Sequence, residues 1–497
     1  MIDSIYDDAR AFGDGLARVK HNNRWQFIDN KGNVVEHLTY DEILELKKFT
    51  TENIGIEIEK DQLNNNLFDF QKDIIKWALK KGRCALFEDT GLGKTLQQLE
   101  FAYQVHKHEN KPVLILAPLA VSKQTVLEGA KFGINVNLCE NQEDVINGIN
   151  ITNYEKIHKF DTNQFVGVIL DESSILKSYS GKTTNELIDR FSRTKYKLCC
   201  TATPSPNDYT ELGTTSEFLG VKKNVEMLAM FFINDASHGN GWRLKKHAEK
   251  EFYKWIGSWA VFVKNPENLG YNGDKYKLPK LNYITEIVES ENNGTSLFVK
   301  LAETLSERRQ ARKDSLDKRV NKVKEIIEKN NMNNCLIWCN FNDESELLKN
   351  TINDSVEVKG SDTSEHKEKS MIGFANNEIK NFISKPSICG FGMNWQNCNN
   401  IIFCGISDSY EQFYQAIRRC WRFGQSKEVN VYIVLSEAEM NVLDNIKRKQ
   451  ENHERMTREM VEIMEEIMKC ELKNYTFSSS SYEPNLNMKL PLFLKNN

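Results

Sequence analysis

The stretch Glu88-Asp89-Thr90-Gly91-Leu92-Gly93-Lys94-Thr95 follows an apolar run (Leu86-Phe87) and precedes a helix-like stretch that starts at Leu96. Glycines let a backbone wrap an anion, and N–H groups at a helix N-terminus bind it, so this order of residues predicts a phosphate-binding loop. In such a loop Thr90, Gly91 and Gly93 supply the wrap, Lys94 reaches the β and γ phosphates of a nucleotide such as ATP, and the Thr95 hydroxyl completes a Mg²⁺ shell. The strict pattern has Gly where this chain has Glu88, and the competing reading of the loop alone is a tight structural turn. A second group of residues decides between them. Asp171-Glu172 stands directly after the apolar run Val166-Gly167-Val168-Ile169-Leu170, and adjacent carboxylates at a strand end are costly unless something neutralises them. In a nucleotide site each has work, Asp171 on Mg²⁺ and Glu172 on the attacking water. Thr201-Ala202-Thr203-Pro204 follows the next apolar run, with Thr201 and Thr203 placed to bond across a cleft and report nucleotide state.

These groups need a scaffold that delivers strand ends to one edge. Val113-Leu114-Ile115-Leu116 and Leu198-Cys199-Cys200 join the two runs above as near-continuous apolar segments, as strands covered on both faces require. Similar runs return at Cys335 to Cys339, Ile401 to Phe403 and Val429 to Val434. The expectation is α/β: two tandem parallel-sheet lobes, at 67–233 and 311–436, joined by a helical insert and connector at 234–310 that carries Trp242, Trp255 and Trp259. A small β module at 1–45, a linker at 46–66, a C-terminal helical extension at 437–475 packed back on the second lobe, and a flexible tail at 476–497 complete the division.

Composition narrows the class. Hydrophobic residues at 40% and charged residues at 27% suit a folded chain, and a net charge of -4 excludes a protein that coats polyanions indiscriminately, so any nucleic-acid site is a local groove. The 11 cysteines include no C-x-x-C pair and several fall in strand-like runs, which predicts reduced core thiols rather than a metal cluster. With no basic-then-apolar start and no long apolar run, the expectation is a soluble, cytosolic protein with no membrane partner.

The loop, the Asp-Glu pair and Thr-Ala-Thr-Pro together resemble motifs I, II and III of helicase superfamily two, and Phe70-Gln71 resembles its adenine-reading Q motif. Gly390 to Gln396 resembles motif V, and Gln415-Ala416-Ile417-Arg418-Arg419-Cys420-Trp421-Arg422-Phe423-Gly424-Gln425 resembles motif VI in the form typical of the Swi/Snf branch, with further similarity to phage-type members. The resemblance implies two RecA-like lobes that hydrolyse ATP with Mg²⁺ between them while acting on nucleic acid, most of all double-stranded DNA. It implies Arg419 and Arg422 as arginine fingers, Gln71 as a nucleotide contact, Gly392 and Gln415 as inter-lobe couplers, and Pro118, Ser122, Asn153 and Asn394 as nucleic-acid contacts. Where family members often carry His in motif II, this chain has Ser174, so coupling to motif III differs there. The N-terminal segment resembles a single WG (Trp-Gly) repeat, with Gln26 where that family has its glycine, and suggests a protein partner. An ATP-controlled clamp and an RNA-acting helicase stay open as alternatives.

Overall fold

The computed structural model describes residues 8–9, 16–21, 24–29, 53–118, 121–205, 208–235, 241–289, 305–389 and 394–472. It divides into two compact units, Met1–Thr51 and Glu52–Asn497. In the first, β1 (Asp8–Ala9), β2 (Leu16–His21) and β3 (Arg24–Asp29) form an antiparallel sheet in the order β1-β2-β3, with Leu16 opposite Asp29. The expected tail at 476–497 lies outside the described residues.

The second unit contains two parallel sheets, the two α/β lobes expected. In the first lobe run β4 (Arg83–Glu88), β5 (Val113–Ala117), β6 (Val136–Leu138), β7 (Ile149–Asn153), β8 (Gly167–Asp171) and β9 (Tyr196–Thr201). All six are parallel, and their spatial order β4-β9-β8-β5-β7-β6 departs from chain order. That departure matters for chemistry: β9 lies between β4 and β8, so the loop after β4, the threonines after β9 and the acids after β8 emerge side by side at the carboxyl edge, where open α/β sheets bind ligands.

The helical insert expected at 234–310 is corrected by the structure. A short antiparallel pair, β10 (Phe232–Asn234) with β11 (Trp242–Leu244), opens it, and then β12 (Ala260–Val263) joins the first sheet in parallel beside β4, completing seven strands. Tryptophans at helical spacing just before it hid β12. Trp255, on the helix Glu249–Gly257, and Trp259 just after it are buried, and Trp259 meets Phe87 of β4 edge to face at 6.0 Å. These rings are therefore first-lobe core beneath the strand that carries the loop.

The chain then enters the second lobe as β13 (Leu281–Val288), the edge of a six-stranded sheet with β14 (Cys335–Trp338), β15 (Ser355–Val358), β16 (Asn381–Ser384), β17 (Asn400–Cys404) and β18 (Val429–Ser436), all parallel in the order β13-β18-β17-β14-β16-β15. The second lobe thus begins about thirty residues before the expected boundary. Its sheet is covered on both faces, one by Trp338, Phe374, Phe382 and Trp395, the other by Val323, Ile326 and Ile337. The cysteines from Cys84 to Cys420 are buried and free, and no described helix is long and apolar enough to cross a membrane.

The C-terminal helix Met440–Leu472 starts as expected, with Val442, Leu443 and Ile446 in the second-lobe core, but it does not end there. At 1.5 Å per residue it is roughly 50 Å long, more than one lobe can cover. It continues onto β12 and the helix Glu249–Gly257 of the first lobe, spanning both.

Candidate nucleotide site

The phosphate-binding loop turns from β4 into the helix Lys94–Glu109 through Gly91 and Gly93, whose φ angles are 93° and 81°. A Cβ at Gly93 would stand 2.3 Å from the Gln71 amide nitrogen, so both conformation and space demand glycine there. Lys94 Nζ donates to the loop's own carbonyls, at 2.6 Å to Glu88 and 3.0 Å to Asp89. Glu88 is fully buried. Its Oε2 accepts from Gln97 Nε2 at 2.7 Å, its Oε1 has no partner, and burial pushes its pKa up to about 7 against the pull of Lys94 and Gln97. Gln71 Oε1 accepts the Phe68 amide at 2.9 Å and Nε2 donates to the Leu92 carbonyl at 2.7 Å, so the glutamine expected to read adenine is buried and braces the loop from behind.

The acids lie where β8 ends. Asp171 Oδ1 accepts from Gln98 Nε2 at 2.7 Å. Glu172 adopts φ 58°, a left-handed conformation that L side chains rarely take, and such strain gathers at functional sites. Its Oε1 accepts the Thr201 hydroxyl at 2.6 Å and the Ser174 hydroxyl at 3.3 Å, while Thr201 Oγ1 accepts the Thr203 amide at 3.0 Å. Thr201 and Thr203 therefore couple through one chain of bonds to the carboxylate assigned to water activation, and Ser174 bonds to the same oxygen. Burial raises the pKa of both acids, opposed for Asp171 by Gln98 and Lys94 and for Glu172 by Thr201 and Lys94. Two desolvated carboxylates beside Lys94 suit a divalent cation that arrives with a polyphosphate. Among the described residues no group of three or more His, Cys, Asp or Glu could hold a metal without such a partner.

The second lobe faces this edge with the residues after the helix Tyr410–Ile417. Gln415 is 4% exposed, and neither its amide oxygen nor its nitrogen is bonded within the described chain. Arg419 is buried, donates from Nε to the Gln415 carbonyl at 3.3 Å and is attracted by both Glu172 and Asp171. Arg422 donates to Asn394 Oδ1, and its Nε has no partner. Desolvation pushes both guanidiniums down, Arg419 to about 10 and Arg422 to about 9, the latter helped by repulsion from Arg419 and Arg418, so both are cations at neutral pH. Asn394, expected as a nucleic-acid contact, here accepts from Arg422. Gly392 lies outside the described residues.

Pro118 is half-buried at the end of β5. Ser122 and Asn153 are each 4% exposed, with Ser122 Oγ and Asn153 Oδ1 turned inside and unbonded. The helix Ser122–Lys131 opens without a side-chain cap, so what this edge offers a phosphate is backbone N–H. Trp395, fully buried against Phe374 and Phe382, is core. Sequence reasoning missed Arg418, which reaches across the cleft to Asp89 and Thr90. The doubled arginine was the only signal, and nothing in the sequence says which of the two turns toward the loop. A cavity of about 530 Å³ opens beside this contact, between Tyr276, Tyr414 and His453 of the C-terminal helix.

A phosphate-binding loop and acids on one parallel sheet, faced by arginines from a second, define a two-lobed P-loop core of the helicase type. Family models agree on its two halves: a SNF2-related domain matches residues 70–234 and a helicase conserved C-terminal domain matches residues 318–424, while a WG containing repeat matches residues 1–25. Residues 70–234 are thus similar to the SNF2-related domain family and residues 318–424 to the helicase C-terminal domain family. The chain is 31% identical over 181 residues to the bovine (Bos taurus) "DNA annealing helicase and endonuclease ZRANB3", a match that takes in 33% of this chain and 17% of that protein. To the Xenopus laevis SWI/SNF-related matrix-associated actin-dependent regulator of chromatin subfamily A-like protein 1 it is 26% identical over 174 residues, 33% of this chain and 18% of the relative. The matched stretch is therefore under a fifth of each relative's length. Among solved structures, the Sulfolobus solfataricus SWI2/SNF2 ATPase core in complex with dsDNA aligns at 18% identity with a TM-score of 0.40, covering 84% of this chain and 99% of that one. The similarity to phage-type helicases read from the sequence finds no support in the curated relatives named here, which are eukaryotic.

Proposed function

We propose that this chain is a motor that hydrolyses ATP with Mg²⁺ between its lobes and moves along double-stranded DNA. The observation that carries the reading is the set of groups brought to one cleft: Lys94 and Thr95 for the phosphates, Glu172 held by Thr201, and Arg419 from the other lobe drawn toward both acids. Thr95 and Asp171 would hold the cation, whose chemistry is to neutralise charge on the β and γ phosphates. Glu172 then orients and deprotonates water, with its carboxylate aimed by Thr201, and Arg419 and Arg422 stabilise the charge that develops, which makes turnover depend on lobe closure. Relatives described as a DNA annealing helicase and as chromatin regulators support a DNA substrate. The N-terminal module would serve a protein partner, and the setting would be cytosolic.

Moving along a duplex is separable from melting it, since each base-pair step costs about 1.4 kcal/mol to open. A strand separator needs a wedge, and the aromatic segment best suited to be one is core, through Trp255 and Trp259. The test is displacement of a third strand from a triplex beside unwinding of a forked duplex. ATP-dependent triplex displacement without fork unwinding supports the reading; fork unwinding contradicts the part that denies a wedge, and ATP turnover with neither activity leaves an ATP-controlled clamp.

A further inference from the structure

Arg418 adjoins one of the two arginines assigned to transition-state charge, yet its guanidinium serves the loop. Its Nη2 stands 2.9 Å from Asp89 Oδ1 and donates to the Thr90 carbonyl at 2.9 Å, while Nε donates to the Thr90 hydroxyl. One helical turn earlier, Tyr414 donates its hydroxyl to the same Asp89 oxygen at 2.9 Å. The guanidinium lies 4.9 Å from the centre of the Trp421 ring and is 2% exposed. Asp89 is tied to the loop's chemistry as well, because its carbonyl holds Lys94 Nζ. A planar fork bonded to two consecutive residues is a geometry that lysine cannot copy.

We propose that Arg418 is a positioning residue: with Tyr414 and Asp89 it latches the second lobe onto the phosphate-binding loop and holds that loop in the shape that receives nucleotide. This rests on the nucleotide reading above and adds a residue with a different energetic signature. Arg419 acts where charge develops, so its loss lowers kcat. Arg418 grips the loop alike in ground and transition states, so its loss raises KM.

The experiment measures ATPase kcat and KM, with ADP affinity, for the full chain and for Arg418→Ala, Arg418→Lys, Asp89→Asn and the double variant Arg418→Ala with Asp89→Asn. The expected result is a KM for ATP raised roughly tenfold in Arg418→Ala and Asp89→Asn with kcat within about threefold, a double variant no worse than either single one, and only partial recovery with lysine. A folded Arg418→Ala protein with unchanged KM overturns the latch, as do single effects that multiply in the double variant. A fall in kcat at constant KM also overturns it and makes Arg418 a third finger. Should Arg418→Ala fail to fold, Arg418→Lys and Asp89→Asn decide by the same KM criterion. A native chain that neither binds ADP nor turns over ATP refutes the nucleotide reading instead. The latch is then read from thermal midpoints, where non-additive loss between Arg418→Lys and Asp89→Asn supports it and additive loss overturns it.

Discussion

The sites proposed for nucleotide and for nucleic acid share the carboxyl edge of one sheet, but they are built by opposite means. At the first, side chains carry the chemistry and hold one another: Thr201 on Glu172, Gln98 on Asp171, Gln71 on the loop. At the second, Ser122 and Asn153 turn their polar atoms inward, and Asn394 accepts from Arg422. The contrast follows from the tasks. Hydrolysis needs particular groups at fixed places, whereas holding a phosphate backbone without reading sequence needs only well-placed N–H donors.

The sharpest way to break the comparison is at Glu172. If side chains carry hydrolysis, Glu172→Gln lowers turnover by about 10³-fold while nucleotide affinity survives, and Lys94→Ala loses the affinity itself. Equilibrium binding of a fluorescent nucleotide beside single-turnover hydrolysis separates the two, and equal loss of affinity in both variants contradicts the assignment. Across the cleft, Arg422→Ala should lower kcat by a factor of order 10³, and Asn394→Ala, which only frees that arginine, by about tenfold. Weaker DNA binding with normal turnover in Asn394→Ala would return that residue to the groove.

A site built from buried side chains also carries a stability cost that depends on pH. Glu88 has a folded pKa of about 7 against an ordinary value of 4.5, so between those values the folded chain binds more protons than the unfolded one. Stability from this group is therefore lost as pH rises from 4.5 through 7, by about 3 kcal/mol at most. Glu88→Gln should remove that slope and be more stable than the native chain at pH 8, with little difference near pH 4.5. Parallel pH slopes in denaturant melts of the nucleotide-free proteins would show that Glu88 is already charged when buried. The smallest effects belong to the groove: Ser122→Ala and Asn153→Ala should change duplex affinity less than about threefold. A tenfold loss in a titration at fixed salt would mean that those side chains turn outward to meet DNA.

What the sequence disclosed follows the same division. Glycines, Lys94, the Asp-Glu pair and the apolar runs of β4, β5, β8 and β9 were legible because each reflects a local requirement: a wrap, a charge, a strand covered on both faces. β12 was not, because its four apolar residues follow tryptophans spaced as on a helix, and only pairing with β4 makes them a strand. The partners of Gln71, Arg418 and Asn394 were not legible for a related reason. Each has a partner 21 to 328 residues away, and a motif names a residue type without saying which neighbour claims its donors. The long C-terminal helix was legible as a helix, but its second docking surface, on the first lobe, was not.

The most direct test of the account is the steady-state ATPase rate of the full chain with duplex DNA, single-stranded DNA, RNA or no nucleic acid, run beside Arg422→Ala. The account predicts that duplex DNA raises kcat well above the other three conditions and that Arg422→Ala abolishes the stimulated rate while duplex affinity persists. A rate indifferent to nucleic acid, stimulation by RNA alone, or an Arg422→Ala protein that still responds to duplex DNA would contradict it.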